Sequence, residues 1–247
     1  MGPWFDPKRA HQQLLYFMNI KGLEDRINRA IDVRERGKLA KSRPLFESII
    51  RDIKEKLQDD SSKGLKNIYA TAMGQYVIQH RLEAGELYKR ALDLGRELYE
   101  YDKSNNLRNP LSVRSVSNTL VNLGFFEQAE IYLQELIPFF ENNSAQKGDT
   151  KAHLALCLLR QGKLNDAKKL IDESIGEIKE NTAKKKKEFI ATWLSHALLV
   201  KSLILNADNN YEGAITSAKE ALEVAKKENR TFRIVQSQEL INFLKKG

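Results

Sequence analysis

Apolar residues recur at helical spacing along most of the chain, and turn signals interrupt them at regular intervals. Val113, Val116, Leu120 and Leu123 form an i, i+3, i+7, i+10 series that lines one face of a helix. Gly124 breaks the series. Ala129, Leu133 and Leu136 then line a second helix, ended near Pro138 or by Asn142 and Asn143. The same succession returns as Leu154, Leu158, Gly162, Leu164, Ala167, Ile171, Ser174, and again as Leu198, Leu205, Asn209, Tyr211, Ala214, Ala218, Ala221. Two weaker copies centre on Gly37 and on Gln79, where Gln79 and Arg81 replace the usual turn pair. Pro44 suits an early helical turn in the first copy.

Small residues keep fixed distances from these turns. Seven positions before them stand Ala30, Ala72, Ser117, Ala155 and Ser202; five positions after them stand Ser42, Ala84, Ala129, Ala167 and Ala214. A small residue at matched points on two successive helices lets the helices cross closely. Repetition of that unit builds a solenoid in which each pair buries its apolar face against the next. The pattern therefore predicts an all-α chain of about 12 helices in antiparallel pairs.

The unit resembles the tetratricopeptide repeat (TPR), a helix–turn–helix with small residues at these points. The resemblance spans roughly residues 23–228 and is strongest in units three to five. It departs from the family in its spacing, about 40 residues from turn to turn, and in lacking the first-helix tryptophan. Longer units of this kind resemble kinesin-light-chain arrays and bacterial peptide-sensing regulators of the Rap and PlcR type. The extra length is expected in the helices around Phe189–Leu205 and Leu87–Tyr101, or in the loop Ser104–Asn109. The resemblance implies a right-handed superhelical array of about five repeats, a TPR-like α-solenoid, with capping helices at residues 1–22 and 229–247. At the first cap Asp6 and Pro7 make an N-cap and first-turn pair before Leu14, Phe17 and Met18. At the second, Thr231 is placed to cap a helix carrying Ile234, Val235, Ile241 and Phe243.

Composition narrows the class. Hydrophobic content of 41% with 30% charged residues suits a folded chain. There is no run of 18 apolar residues to span a membrane and no secretory signal at the start, so a cytoplasmic protein is expected. Net charge is +8, but the excess lies in residues 1–60 and 183–247, while residues 61–182 are balanced. A nucleic-acid groove needs a continuous positive stripe, so that partner is disfavoured. Lys184–Lys187 is expected to open a long helix as a solvated face.

In TPR-like arrays the first helices of successive units line the concave groove, which places candidate ligand contacts beside the packing stripe. In unit three these are Arg114, Asn118 and Asn122: Asn can clamp a peptide bond, and Arg offers a fork for a carboxylate or phosphate. Unit two supplies Tyr69, Met73 and Val77 with Tyr76 beside them. Unit four supplies Ala152, Leu156 and Arg160 with His153 alongside, and unit five Leu199, Leu203 and Asn206. This mixture suits an extended or helical peptide with apolar anchors. The family members that hold chaperone C-terminal tails need Lys and Asn where this chain has Ile27 and Ile31, so that ligand is disfavoured.

Catalytic and metal signatures are missing from the sequence. His11, His80, His153 and His196 are far apart, and none is read as paired with a carboxylate at metal spacing. Gly162–Lys163 lacks the preceding glycine of a phosphate loop, and there is no nucleophile elbow. Cys157, the only cysteine, is expected in the core; with it go disulfides and cysteine-rich zinc sites. No enzyme activity, cofactor or metal is expected. The function expected is a protein- or peptide-binding scaffold; the alternative is a peptide-responsive regulatory subunit, and a nucleic-acid-associated repeat ranks third.

Overall fold

The computed structural model describes residues 7–107 and 109–246, with the helix backbone alone for residues 7–19. Asp6 and the side chains of Leu14, Phe17 and Met18 lie outside the described residues. Among the described residues there are ten α-helices, one short 3-10 turn and no strand. The helices are α1 (Pro7–Glu35), α2 (Leu39–Asp59), α3 (Lys63–Ser104), α4 (Pro110–Leu123), α5 (Phe126–Leu136), α6 (Ser144–Arg160), α7 (Leu164–Glu180), α8 (Lys187–Ala207), α9 (Tyr211–Lys227) and α10 (Thr231–Leu244). The chain is thus an all-α array of TPR-like helix pairs.

Four of the five predicted turns are present, and their chemistry is the one read from the sequence. Gly37, Gly124, Gly162 and Asn209 all have positive φ, at 72°, 82°, 79° and 61°. That left-handed conformation ends a helix most easily at Gly or Asn. The fifth is not a turn. Gln79 lies inside α3, a continuous 42-residue helix, and is fully buried. The Ser42 hydroxyl donates to Gln79 Oε1 at 2.7 Å, and Gln79 Nε2 donates to the Leu39 carbonyl and the Glu83 carboxylate, each at 2.9 Å. Nothing in Gln79–Arg81 favours left-handed backbone, so the helix runs on.

The small-residue series sorts the same way. Nine of the ten positions are fully buried: Ala30, Ser42, Ala72, Ser117, Ala129, Ala155, Ala167, Ser202 and Ala214. The tenth, Ala84, is exposed because α3 never turns back to make a pair there. Residues 7–22 belong to α1, which runs unbroken from Pro7 to Glu35. At the other end Arg230 takes the N-cap position and Thr231 begins α10. Lys184–Lys186 form part of a loop with positive φ at Lys184, and only Lys187 enters α8.

The chain divides into two compact units, residues 1–87 and 88–247, with the boundary inside α3. In the first unit α1, α2 and the start of α3 enclose Leu23, Ile27, Phe46, Ile49, Ile53 and Ile68. In the second, α4/α5, α6/α7 and α8/α9 are successive pairs and α10 packs on α8 and α9. Its core holds Val116, Leu120, Leu133, Leu158, Ile171, Ile178, Leu198 and Ile204. Asn109 caps α4 by accepting from the Leu111 N–H at 3.0 Å, with Pro110 in the first turn. Gly148 and Ser174 lie at a close approach of α6 and α7, where the Ser174 hydroxyl donates to the Gly148 carbonyl at 2.7 Å. Although α8 is long and apolar enough to cross a membrane by composition, half of that stretch is buried in the protein.

Candidate functional site

One cavity of the second unit, about 540 Å³, is walled by the first helices of its three pairs and by α10. Asn118 and Asn122 come from α4, His153 and Leu156 from α6, His196, Leu199 and Leu203 from α8, and Phe232, Arg233 and Gln236 from α10. The packing stripe of each first helix faces its own pair partner. The neighbouring i, i+4 stripe, Asn118–Asn122 on α4, is left facing the cavity. Leu156, Leu199, Leu203 and Leu240 supply its apolar surface.

The charges around the cavity are one-sided. No Asp or Glu is among its lining residues, whereas Arg233, His153 and His196 are. Behind them sits Asp149, buried on α6, which accepts from Arg114 at 3.0 Å. Asp149 Oδ1 lies 3.9 Å from His153 Nε2 and 3.9 Å from His196 Nδ1, too far for a hydrogen bond. The two imidazoles face each other with centroids 4.2 Å apart. Burial lowers the His153 pKa; Asp149 opposes the shift, and Arg114 and Arg233 add to it. Burial also pushes His196 well down, helped by His153 and Arg233. Both rings are therefore neutral at pH 7. Arg233 donates to Gln236 Oε1 at 2.7 Å and makes no ion pair among the described residues. Five buried side-chain polar atoms among the described residues have no hydrogen-bond partner. Three of them, Asn118 Oδ1, His153 Nδ1 and His196 Nδ1, belong to residues of this one cavity.

Asp149, His153 and His196 each bring a ligand atom within 4.8 Å of the others, which is metal-site spacing. This corrects the reading that no histidine pairs with a carboxylate: Asp149 and His153 are one helical turn apart on α6. The local charge argues against a dication there. The one carboxylate of the three is already paired with Arg114, and Arg233 is on the cavity lining. Two like unit charges ~5 Å apart repel by about 3 kcal/mol at an effective dielectric of ~20. A dication would meet that repulsion twice over, and an anion would meet attraction.

Asn118, Asn122 and Leu156, with His153, Leu199 and Leu203, share this cavity. Arg114 does not line it: its guanidinium is taken by Asp149 and lies 5.5 Å from the Phe140 ring centroid. Arg160 is exposed at the end of α6 and, like Asn206, is outside the lining, while Ala152 is core. Tyr69, Met73 and Tyr76 belong to the first unit. Tyr69 packs on that unit's core, and Met73 and Tyr76 line a separate groove against α2, where the Tyr76 hydroxyl donates to Glu47 at 2.9 Å. Val77 is exposed. Cys157 is fully buried and its pKa is raised to about 12, chiefly by burial, so it is no nucleophile. Lys163 pairs with Glu130 at 3.2 Å, a brace between helix pairs. Sequence reasoning missed Asp149, His196 and the α10 residues. The Asp149–His153 spacing was legible; the alignment of His196 was not, because it sits one helical turn further from its own turn residue.

No family model and no curated protein matches the chain. Among solved structures it is similar to YrrB, a TPR protein described as having an unusual peptide-binding site. That match has 17% identity over 87% of this chain and 90% of the other, with a TM-score of 0.41. A TPR protein of Thermus thermophilus matches at 15% identity over 89% and 98%, TM-score 0.44. A third, from Parabacteroides merdae, matches at 11% identity over 91% and 99%, TM-score 0.21. Similarity at this level says nothing about a ligand. The fold stands on the chain's own helix pairs, buried small residues and left-handed turns, and all three of these structures are TPR proteins, the family that the sequence resembles.

Proposed function

We propose that the chain is a non-catalytic binding scaffold whose second-unit cavity takes an extended or helical segment of a partner protein or peptide. One observation carries the reading: three of the five unsatisfied buried polar atoms among the described residues belong to side chains that line this cavity. A buried polar group without a partner costs about 1–3 kcal/mol. A ligand offering donors and acceptors here recovers that cost, which a purely structural surface would have no use for. The apolar lining of Leu156, Leu199 and Leu203 supplies the anchor area.

A regulatory version of the reading has support of its own. Because α10 supplies Phe232, Arg233 and Gln236, a ligand in the cavity touches both the repeat helices and the last helix of the array. Such a ligand stabilises the docked position of α10 by its differential affinity. A nucleic-acid reading gains nothing from a cavity with a single arginine.

The test is selection of peptides from a random library on the full chain, followed by affinity measurement on two variants. Leu203→Glu should abolish binding. Asn118→Ala should weaken it about tenfold while leaving the melting temperature unchanged or slightly raised, since the Asn118 Oδ1 has no partner to lose. Peptides that bind both variants as tightly as the parent would place recognition elsewhere.

A further inference from the structure

We propose that the His153–His196–Arg233 corner of the cavity receives a carboxylate of the peptide ligand, and that Asn118 takes the adjoining backbone amide. This rests on the reading of the cavity as a peptide groove, and deepens it by assigning the chemistry of one end.

The assignment comes from charge and donor geometry together. Asp149 and Arg114 cancel as an ion pair at 3.0 Å, so Arg233 remains as the one uncompensated cation on the lining, and no lining carboxylate opposes it. One net positive charge matches a monoanion. A phosphoryl dianion would leave a negative charge uncompensated beside Asp149, and a metal ion would add to the positive one. Guanidinium and imidazole present N–H donors suited to a carboxylate's two oxygens. Arg233 commits one of its five N–H groups, to Gln236, and the two Nδ1 atoms have no partner. Asn118 Oδ1, buried and unpaired, is an acceptor waiting for an N–H. The N–H next to a C-terminal or acidic-residue carboxylate is such a donor, and Leu156, Leu199 and Leu203 are there for the accompanying apolar side chain.

Binding is then linked to protons. The titratable and charged groups acting on the imidazoles are the neighbouring imidazole, Arg114 on α4, Asp149 on α6 and Arg233 on α10, and Tyr88 of α3 is also on the cavity lining. The helices α5, α7 and α9 place no residue on the lining. A carboxylate beside two neutral rings raises their pKa values, so the complex takes up protons and tightens as pH falls.

The experiment is a nuclear magnetic resonance titration of the full chain, labelled with nitrogen-15 at histidine, with three probes: N-acetylleucine, N-acetylleucinamide and inorganic phosphate. N-acetylleucine at millimolar concentration is expected to shift the His153 and His196 ring signals and to raise their titration midpoints. Its affinity should exceed that of the neutral amide, and that of phosphate, by about tenfold, and should fall about tenfold in Arg233→Met. Equal affinity for acid and amide would overturn the carboxylate site while leaving the groove reading intact. Tighter binding of phosphate would overturn it in favour of a phosphoryl group. If neither leucine derivative moves these signals, the site itself is refuted. Should Arg233→Met fail to fold, the acid–amide comparison on the unaltered chain decides.

Discussion

Gly148→Ala should destabilise the second unit although Ala is the better helix former. Gly148 lies in α6 where α7 crosses, and a Cβ built on it would stand 2.5 Å from the Ser174 carbonyl oxygen, 2.8 Å from Ile178 Cγ1 and 3.0 Å from Ile178 N. Two of those atoms are backbone and cannot rotate away, so α6 and α7 must separate. That separation loosens Ile171 and Ile178, both in the core, and breaks the 2.7 Å hydrogen bond from Ser174 to the Gly148 carbonyl. Overpacking costs typically about 1–3 kcal/mol, and the lost hydrogen bond about 1 kcal/mol. Relief of the glycine's helix penalty returns about 1 kcal/mol. The net loss is about 1–3 kcal/mol, or a melting temperature lower by about 2–12 °C for a unit of this size. Gly176→Ala on α7 is the control: nothing lies within 4 Å of its Cβ position, so the same substitution should raise the melting temperature by about 2–4 °C. Thermal denaturation followed by circular dichroism reads both. Equal or reversed shifts for the two glycines would mean that α6 and α7 do not cross where described.

Ala155→Leu should cost about 1–3 kcal/mol by overpacking, because Ala155 is fully buried; an unchanged denaturation midpoint would contradict the repeat register. Gln79→Ala should destabilise the first unit by about 1–3 kcal/mol, since it empties a fully buried site and removes the hydrogen bonds that tie α3 to Ser42 and to the Leu39 carbonyl, although Ser42 still donates to that carbonyl at 3.0 Å. Hydrogen exchange in α2 faster than in the parent would show it, and unchanged exchange would refute it. The histidine pair sets a pH dependence of stability. His153 and His196 have folded pKa values below the unfolded value of ~6.5, so the unfolded chain binds more protons in between. Their contribution is complete above pH ~6.5 and is lost as pH falls toward the folded-state values. The melting temperature should therefore drop more steeply from pH 7 to 5 in the parent than in His196→Asn; parallel curves would count against neutral buried rings.

The legible part of the fold was the part governed by local backbone chemistry. Gly37, Gly124, Gly162 and Asn209 announce reversals because left-handed backbone favours those residue types. Ala155, Ala167 and their equivalents announce close crossings because larger side chains do not fit there. Gln79 failed because the repeat was extrapolated over a segment with no residue able to end a helix, and Ala72 and Ala84 are as ordinary in one long helix as in a pair. In the cavity, Asn118, Asn122 and Leu156 followed from the stripe beside the packing face. Arg114 shared that stripe and went elsewhere. Its position is set by Asp149 on the next first helix, a relation between units that the periodicity of one helix does not encode. The contribution of α10 was hidden for the same reason: a terminal helix read as a cap also forms a wall of the site.

Ligands are proposed to enter the cavity between α4, α6, α8 and α10. Hydrogen–deuterium exchange of the full chain, with and without a library-selected peptide, reads this entry helix by helix. Added protection is expected around Asn118–Asn122, His153–Leu156, His196–Leu203 and Phe232–Leu240, with little change in α5, α7 and α9. Protection confined to α5, α7 and α9, or to the first unit, would contradict it.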